Sequence, residues 1–302
     1  MTIQKLRYII EIVACGSINE AAKRLFITQP SLSAAVRELE DEVGIQIFQR
    51  SSRGVTLSPQ GAEFLGYARQ VVEQADLLER RYLDVKPQRQ QFAISTQHYA
   101  FVVSAFVNLV KQYGSDEYEF TFRDTQTHEI LEDVRNLRSE VGVLYLNDFN
   151  SKVLTHLIRQ YGLEFHELFT AKPHIFVSSK NPLAKKKSVV LEDLEQYPCL
   201  SYEQGEYNSF YFSEEILSTL PHKKTIRVSD RATIFNLMIG LSGYTISTGV
   251  ISPELNGEDI VAIPLKVNER ITVGWIAHKK VTLSKLAQQF VEELKLATRN
   301  PK

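Results

Sequence analysis

The chain has 302 residues, 43% hydrophobic and 24% charged, with a formal net charge of −1; that length exceeds one ordinary domain of roughly 100–200 residues and fits a small domain followed by a larger one. A near-zero balance gives no whole-chain sign of a nucleic-acid partner, so any case for DNA must come from where individual charges sit. No stretch reaches the roughly 18 apolar residues of a bilayer span and no basic-then-apolar leader opens the chain, while Cys15 and Cys199 have no metal or redox spacing; a cytoplasmic protein with free thiols, no metal and no cofactor is expected.

Apolar residues at Ile3, Leu6, Ile9, Ile10 and Val13 recur at three and four, the face of an amphipathic helix that ends at Cys15-Gly16. Ser17 and Glu20 have capping-box spacing, so a second short helix is expected from about Ile18 to Phe26. Thr28 as N-cap and Pro30 in the first turn open a third, with Leu32, Val36 and Leu39 inward and Gln29, Ser31, Ser33, Ala34 and Arg37 outward. Small polar side chains and a glutamine at an exposed helix start suit a major groove, where Gln can bond an adenine edge and free amides can bind phosphate.

Gly44 to Arg50 alternates like a strand, residues 51–54 form a turn and Val55-Thr56-Leu57 alternates again, a hairpin that places Arg50 and Arg53 against phosphates or a minor groove. Ser58-Pro59 then opens a helix continuing to about Val85, with Phe64, Ala68, Val71, Ala75, Leu78 and Tyr82 as a coiled-coil-like stripe. About 25 residues make a rod of about 38 Å. A lone rod cannot bury that stripe, so a second copy is expected on it; two reading helices one duplex turn apart, about 34 Å, then address a two-fold site on double-stranded promoter DNA.

The run Gly16-Ser17, Ala21-Ala22, Leu25, Thr28-Gln29-Pro30-Ser31-Leu32-Ser33, Leu39-Glu40, Val43-Gly44, Ile47-Phe48, Arg50, Arg53-Gly54, Leu57-Ser58 and Gly61 closely resembles the DNA-binding region of LysR-type transcriptional regulators. The resemblance implies a winged helix-turn-helix, a linker-helix dimer, commonly a tetramer, and an effector domain of periplasmic-binding-protein type. It also implies DNA contacts at Thr28, Gln29, Pro30, Ser31, Ser33 and Arg37 and in the wing at Arg50 and Arg53. Ala34 and Ala35 stand where many members carry long polar or basic side chains, and Gln60 where alanine is common.

A polar hinge at 86–91 divides the chain into a DNA-binding domain over 1–58, a linker over 59–90 and an α/β effector domain over 91–302, the last with lobes of about 91–161 plus 267–302 and about 162–266. Strands and helices alternate there, which suggests a largely parallel sheet, with further helices expected over Phe212–Leu217 and Arg231–Leu241. In open α/β sheets a ligand sits beyond the carboxyl ends of the strands. Those positions are Ser95, Thr96, Gln97, His98, Thr125, Thr127 and Tyr145 from one lobe and Tyr202, Glu203, Ser229, Asp230 and Thr248 from the other. Hydroxyls and amides beside helix starts favour a small polar or anionic effector. The Ser-Thr-Gln run resembles that of regulators of sulfur and amino-acid metabolism, which implies an amino acid or a sulfur-containing precursor. Lys185-Lys186-Lys187 reads as a solvated loop.

The sequence holds no G-x-S-x-G, no glycine-rich phosphate loop and no His/Cys/Asp cluster, so the cleft is expected to bind without transforming. The alternative, a two-lobed binding protein without regulatory role, accounts for neither the first ninety residues nor the missing leader.

Overall fold

A computed structural model describes residues 1–51, 54–83, 90–114, 117–251 and 257–299. The chain forms two compact units, Met1–Gln88 and Arg89–Lys302. Among the described residues no helix is long and apolar enough to cross a membrane.

The first unit runs α1 (Ile3–Cys15), α2 (Ile18–Arg24), α3 (Gln29–Val43), β1 (Phe48–Ser51), β2 (Gly54–Leu57) and α4 (Pro59–Leu83). Hydroxyl caps start the first three helices: Thr2 accepts from the Lys5 amide, Ser17 from Glu20 and Thr28 from Ser31. Only half of the expected capping box forms, because the Glu20 carboxylate lies 3.6 Å from Lys23. The core is built from Ile9, Ile12, Ala21, Leu32, Val36 and Leu39; on α1 the expected face holds for Leu6 and Ile9, whereas Ile12, outside that face, is fully buried and Ile3, at its start, is exposed. The wing begins at Phe48, later than Gly44, because α3 continues to Val43 and Gly44 ends it in the left-handed region at φ 72°. Glu40 Oε1 fastens it by accepting from the amides of Ile47 (2.7 Å) and Phe48 (3.0 Å).

Ser58 caps α4 through the Gly61 amide at 2.8 Å. A Cβ at Gly61 would stand 2.1 Å from the Ile47 carbonyl oxygen, so the helix approaches the wing closely only because this residue is glycine. The α4 stripe divides. Ala68 is buried in the unit's own core beside Leu65 and Val72, while Val71, Leu78 and Tyr82 are exposed, Leu78 at 60%.

The second unit runs β3 (Gln90–Thr96), α5 (Ala100–Tyr113), β4 (Tyr118–Asp124), α6 (Thr127–Arg135), β5 (Val141–Leu146), α7 (Ser151–Gln160), β6 (Leu163–Ala171), β7 (His174–Ser178), β8 (Cys199–Tyr202), β9 (Thr225–Val228), α8 (Arg231–Leu241), β10 (Tyr244–Ser247), β11 (Ile260–Pro264), β12 (Ile271–His278) and α9 (Lys285–Arg299). These build two five-stranded sheets, β4-β3-β5-β12-β6 and β11-β7-β10-β8-β9. Neither sheet is largely parallel. In the first, β12 runs antiparallel to β5 and β6; in the second, β7 runs antiparallel to β10 and β11. The chain changes sheet between Ala171 and His174, later than the expected 162, because β6 is an edge strand of the first sheet. Its charged residues Glu164 and Glu167, suited to an edge, hide it from a search for apolar alternation.

The expected helix over Phe212–Leu217 does not form. A 3-10 turn covers Phe210–Phe212, and Leu217 adopts φ 59°, outside helical space. Tertiary hydrogen bonds draw Glu214 and Glu215 apart instead.

Candidate functional site

On α3 the side chains of Thr28, Gln29, Pro30, Ser31 and Arg37 are exposed. Thr28 and Ser31 hydroxyls lie 2.8 Å apart, which locks the first turn. Ser33 does not face outward: it is 7% exposed and accepts from Gln29 Nε2 at 2.8 Å, so it holds the glutamine instead of reaching outward itself. Arg50 lies on β1, but its side chain is outside the described residues, as is Arg53 altogether.

In the second unit the parallel strands of the first sheet end at Thr96, Asp124 and Leu146, and the segment 204–214 from the other lobe lies across those ends. Gln97 is buried at the centre. Its Nε2 donates to Thr127 Oγ1 (2.7 Å), and its Oε1 accepts from the Tyr145 amide (3.0 Å) and the Tyr99 hydroxyl (3.1 Å). The second lobe completes the set. Thr127 donates its hydroxyl to the Phe212 carbonyl (2.7 Å) and its amide to Gln204 Oε1 (3.1 Å), and Tyr145 donates to the Ser213 carbonyl (2.9 Å). A Cβ on Gly205, at φ 53°, would lie 2.8 Å from Gln126 Oε1, so this approach too uses a glycine.

Next to this network, the Glu214 carboxylate accepts from the His98 amide (3.0 Å), the His98 ring Nδ1–H (2.9 Å) and Gln204 Nε2 (3.3 Å). The His98 ring stacks on Tyr202 with centroids 3.8 Å apart, and its Nε2 lies 3.8 Å from Asp124. Burial works against the imidazolium, but the charge and hydrogen bond of Glu214, with Asp124 behind, outweigh it and raise the pKa of His98. Glu215 turns the other way and accepts from the Tyr202 amide at 3.0 Å. Burial, with the adjacent Glu214 charge, pushes its carboxyl up to about 8. Beside it, in the second lobe, lies a cavity of about 600 Å³ bordered by Ser201, Tyr202, Glu203, Asn208, Glu215 and Arg227.

Residues 3–62 match the bacterial regulatory helix-turn-helix protein, lysR family, and residues 93–299 match the LysR substrate binding domain. The chain belongs to the LysR family. Among LysR-family relatives it is 27% identical to the transcriptional dual regulator GltC of Bacillus subtilis, over 97% of this chain and 96% of that protein. It is 24% identical to the Hca operon transcriptional activator HcaR of Escherichia coli, over 96% of each. A Corynebacterium glutamicum OxyR C206 mutant shares the fold at TM-score 0.51 and 19% identity, over 99% of this chain and 93% of that one. This LysR-family protein is therefore a DNA-binding transcriptional regulator with an effector-binding domain, not an enzyme.

The LysR-type substrate domain brings together Gln97, His98, Thr127, Tyr145 and Tyr202. Other positions read from the sequence lie apart from this cluster. Ser95 donates inward to Asp133 at 2.6 Å, Thr96 bonds the Gln97 carbonyl, and Thr248 accepts from the Val250 amide. Asp230 caps α8 through Thr233, with Ser229 exposed before it. Thr125 donates its amide to the Thr96 carbonyl, and Glu203 is an exposed border residue of the cavity. Glu214, Glu215 and Gln204 were missed. The adjacent Glu214-Glu215 pair inside an aromatic and aliphatic run was the available signal, obscured by reading that run as a helix.

Proposed function

We propose that this LysR-family regulator binds a two-fold promoter site as a dimer through α4, or as a tetramer made of two such dimers, and that a small polar or anionic metabolite of amino-acid size modulates its promoter binding. Exposed Thr28, Gln29, Ser31 and Arg37 on a capped α3 supply the reading face. Residues Arg50 and Arg53 contribute phosphate or minor-groove contacts from the wing. The observation that carries the effector reading is the polar network of Gln97, Thr127, Tyr145 and Gln204 bridging the lobes beside a cavity of about 600 Å³. That volume is within the roughly 300–1,000 Å³ of small-molecule sites. A ligand entering there changes the contacts of segment 204–214 with the first lobe, and so the packing of the effector domain. Amino acids and their sulfur-containing precursors are the class to screen.

The test is a thermal-shift screen of the full chain against those compounds, followed by footprinting on its own promoter with and without each hit. The reading requires a compound that both raises the melting temperature and alters the footprint or the DNA bend. Identical footprints with saturating hits and without them reject it.

A further inference from the structure

The three donors on Glu214 form a carboxylate-binding site made by the backbone of His98, its ring and the Gln204 amide. Every participant is buried: the side chains of His98 and Glu214 are 4% and 5% exposed, and Gln204 is 6% exposed. Glu214 enters it from an irregular segment of the opposite lobe, 116 residues away in sequence, as a separate molecule would. Two further carboxylates, Asp124 and Asp230, and the Arg231 guanidinium stand around the His98–Glu214 pair, with Arg231 acting on both Asp124 and Tyr202. An independent observation points the same way: Arg231 Nη1 is buried with no hydrogen-bond partner.

We propose that the junction at His98 is a carboxylate subsite which the chain fills with its own Glu214, and that the effector carries a carboxylate which displaces Glu214. Displacement breaks the bonds of Glu214 to His98 and Gln204 and so removes one of the three ties of segment 204–214 to the first lobe, the other two being at Thr127 and Tyr145. Glu214 thereby sets specificity: weak carboxylates are excluded by a tethered competitor, and an effector has to add contacts elsewhere to win. The proposal deepens the effector reading above and depends on it only for the link to promoter binding.

The experiment is chemical rescue in the full chain. Glu214→Ala is expected to melt below the wild type, and sodium acetate at millimolar concentration to raise its melting temperature saturably by about 2–4 °C. Sodium chloride at equal ionic strength should not do so, and wild type should not respond to acetate. A folded Glu214→Ala protein that treats acetate and chloride alike overturns the proposal. Should that variant fail to fold, Glu214→Gln serves instead, with the titration of His98 followed by NMR. The midpoint is expected to fall relative to wild type, and an unchanged midpoint overturns the assignment of Glu214 to this site. Rescue without any change of promoter footprint keeps the subsite and rejects the effector reading; an effector-dependent footprint without rescue does the reverse.

Discussion

Gln29 shows how one residue's role depends on a neighbour. Its Nε2 is held by buried Ser33, so its amide is oriented before any DNA arrives, and little rotamer freedom is left to lose on binding. Gln29→Ala is expected to lower discrimination between the cognate site and a single-base variant by about 1–3 kcal/mol while changing nonspecific affinity little, as read by competition binding at fixed salt. Equal losses on both DNAs would remove it as a base reader. Glu215 yields a prediction of a different kind. Its carboxyl titrates near 8 in the folded chain, above the ordinary 4.5, so the folded state holds a proton that the unfolded state has released between those values. His98, also raised, acts in the same direction, with Glu214 and Asp124 as the charges facing it. Stability is thus fullest below about pH 4.5 as far as Glu215 is concerned, and is lost as pH rises toward 8. Denaturant titrations should show a fall of up to about 1 kcal/mol per pH unit between pH 6 and 8. Glu215→Gln should flatten it.

At the scale of elements, α4 serves two purposes along its length. Its first half is core: Leu65, Ala68 and Val72 are buried, and Gly61 lets the helix meet the wing. Gly61→Ala places a methyl against a backbone carbonyl that cannot move aside. It is expected to cost about 1–3 kcal/mol, measured by chemical denaturation. The second half exposes Val71, Leu78 and Tyr82, a pattern that a second copy would bury. Burying one leucine contributes about 1.5–3 kcal/mol. Leu78→Glu, at both copies of the interface, should therefore weaken self-association at least about tenfold by sedimentation. A dimer as tight as wild type would place the interface elsewhere. Of the three buried residues only Ala68 lies on the stripe read from the sequence, which it shares with exposed Val71, Leu78 and Tyr82; periodicity reports which residues avoid water without saying what covers them.

At the scale of the whole molecule, the two units have separate cores, Ile9, Leu32 and Leu39 in one and Phe92, Ile94 and Phe290 among others in the second. Calorimetry of the full chain should accordingly resolve two transitions. Gly61→Ala is expected to lower one, and Glu215→Gln to change the pH dependence of the other alone. A single transition shifted by both substitutions would show that the units unfold together.

Local signals were enough for the first unit. Hydroxyl caps at Ser17 and Thr28, the glycine after Val43 and apolar spacing at three and four act within a few residues, so the sequence by itself determined the helix-turn-helix, the wing and the start of α4. It also determined that Gln97, Thr127, Tyr145 and Tyr202 sit at the ends of strands. Which of those side chains meet was decided by tertiary structure. Ser95 and Gln97 are two apart on and just beyond one strand, yet one bonds inward to Asp133 and the other reaches Thr127. Glu214 reaches His98 only because lobe closure outweighs the helical tendency of its own segment. A carboxylate bound across 116 residues of chain has no local trace, since its energy comes from charge and burial that exist only after both lobes have formed.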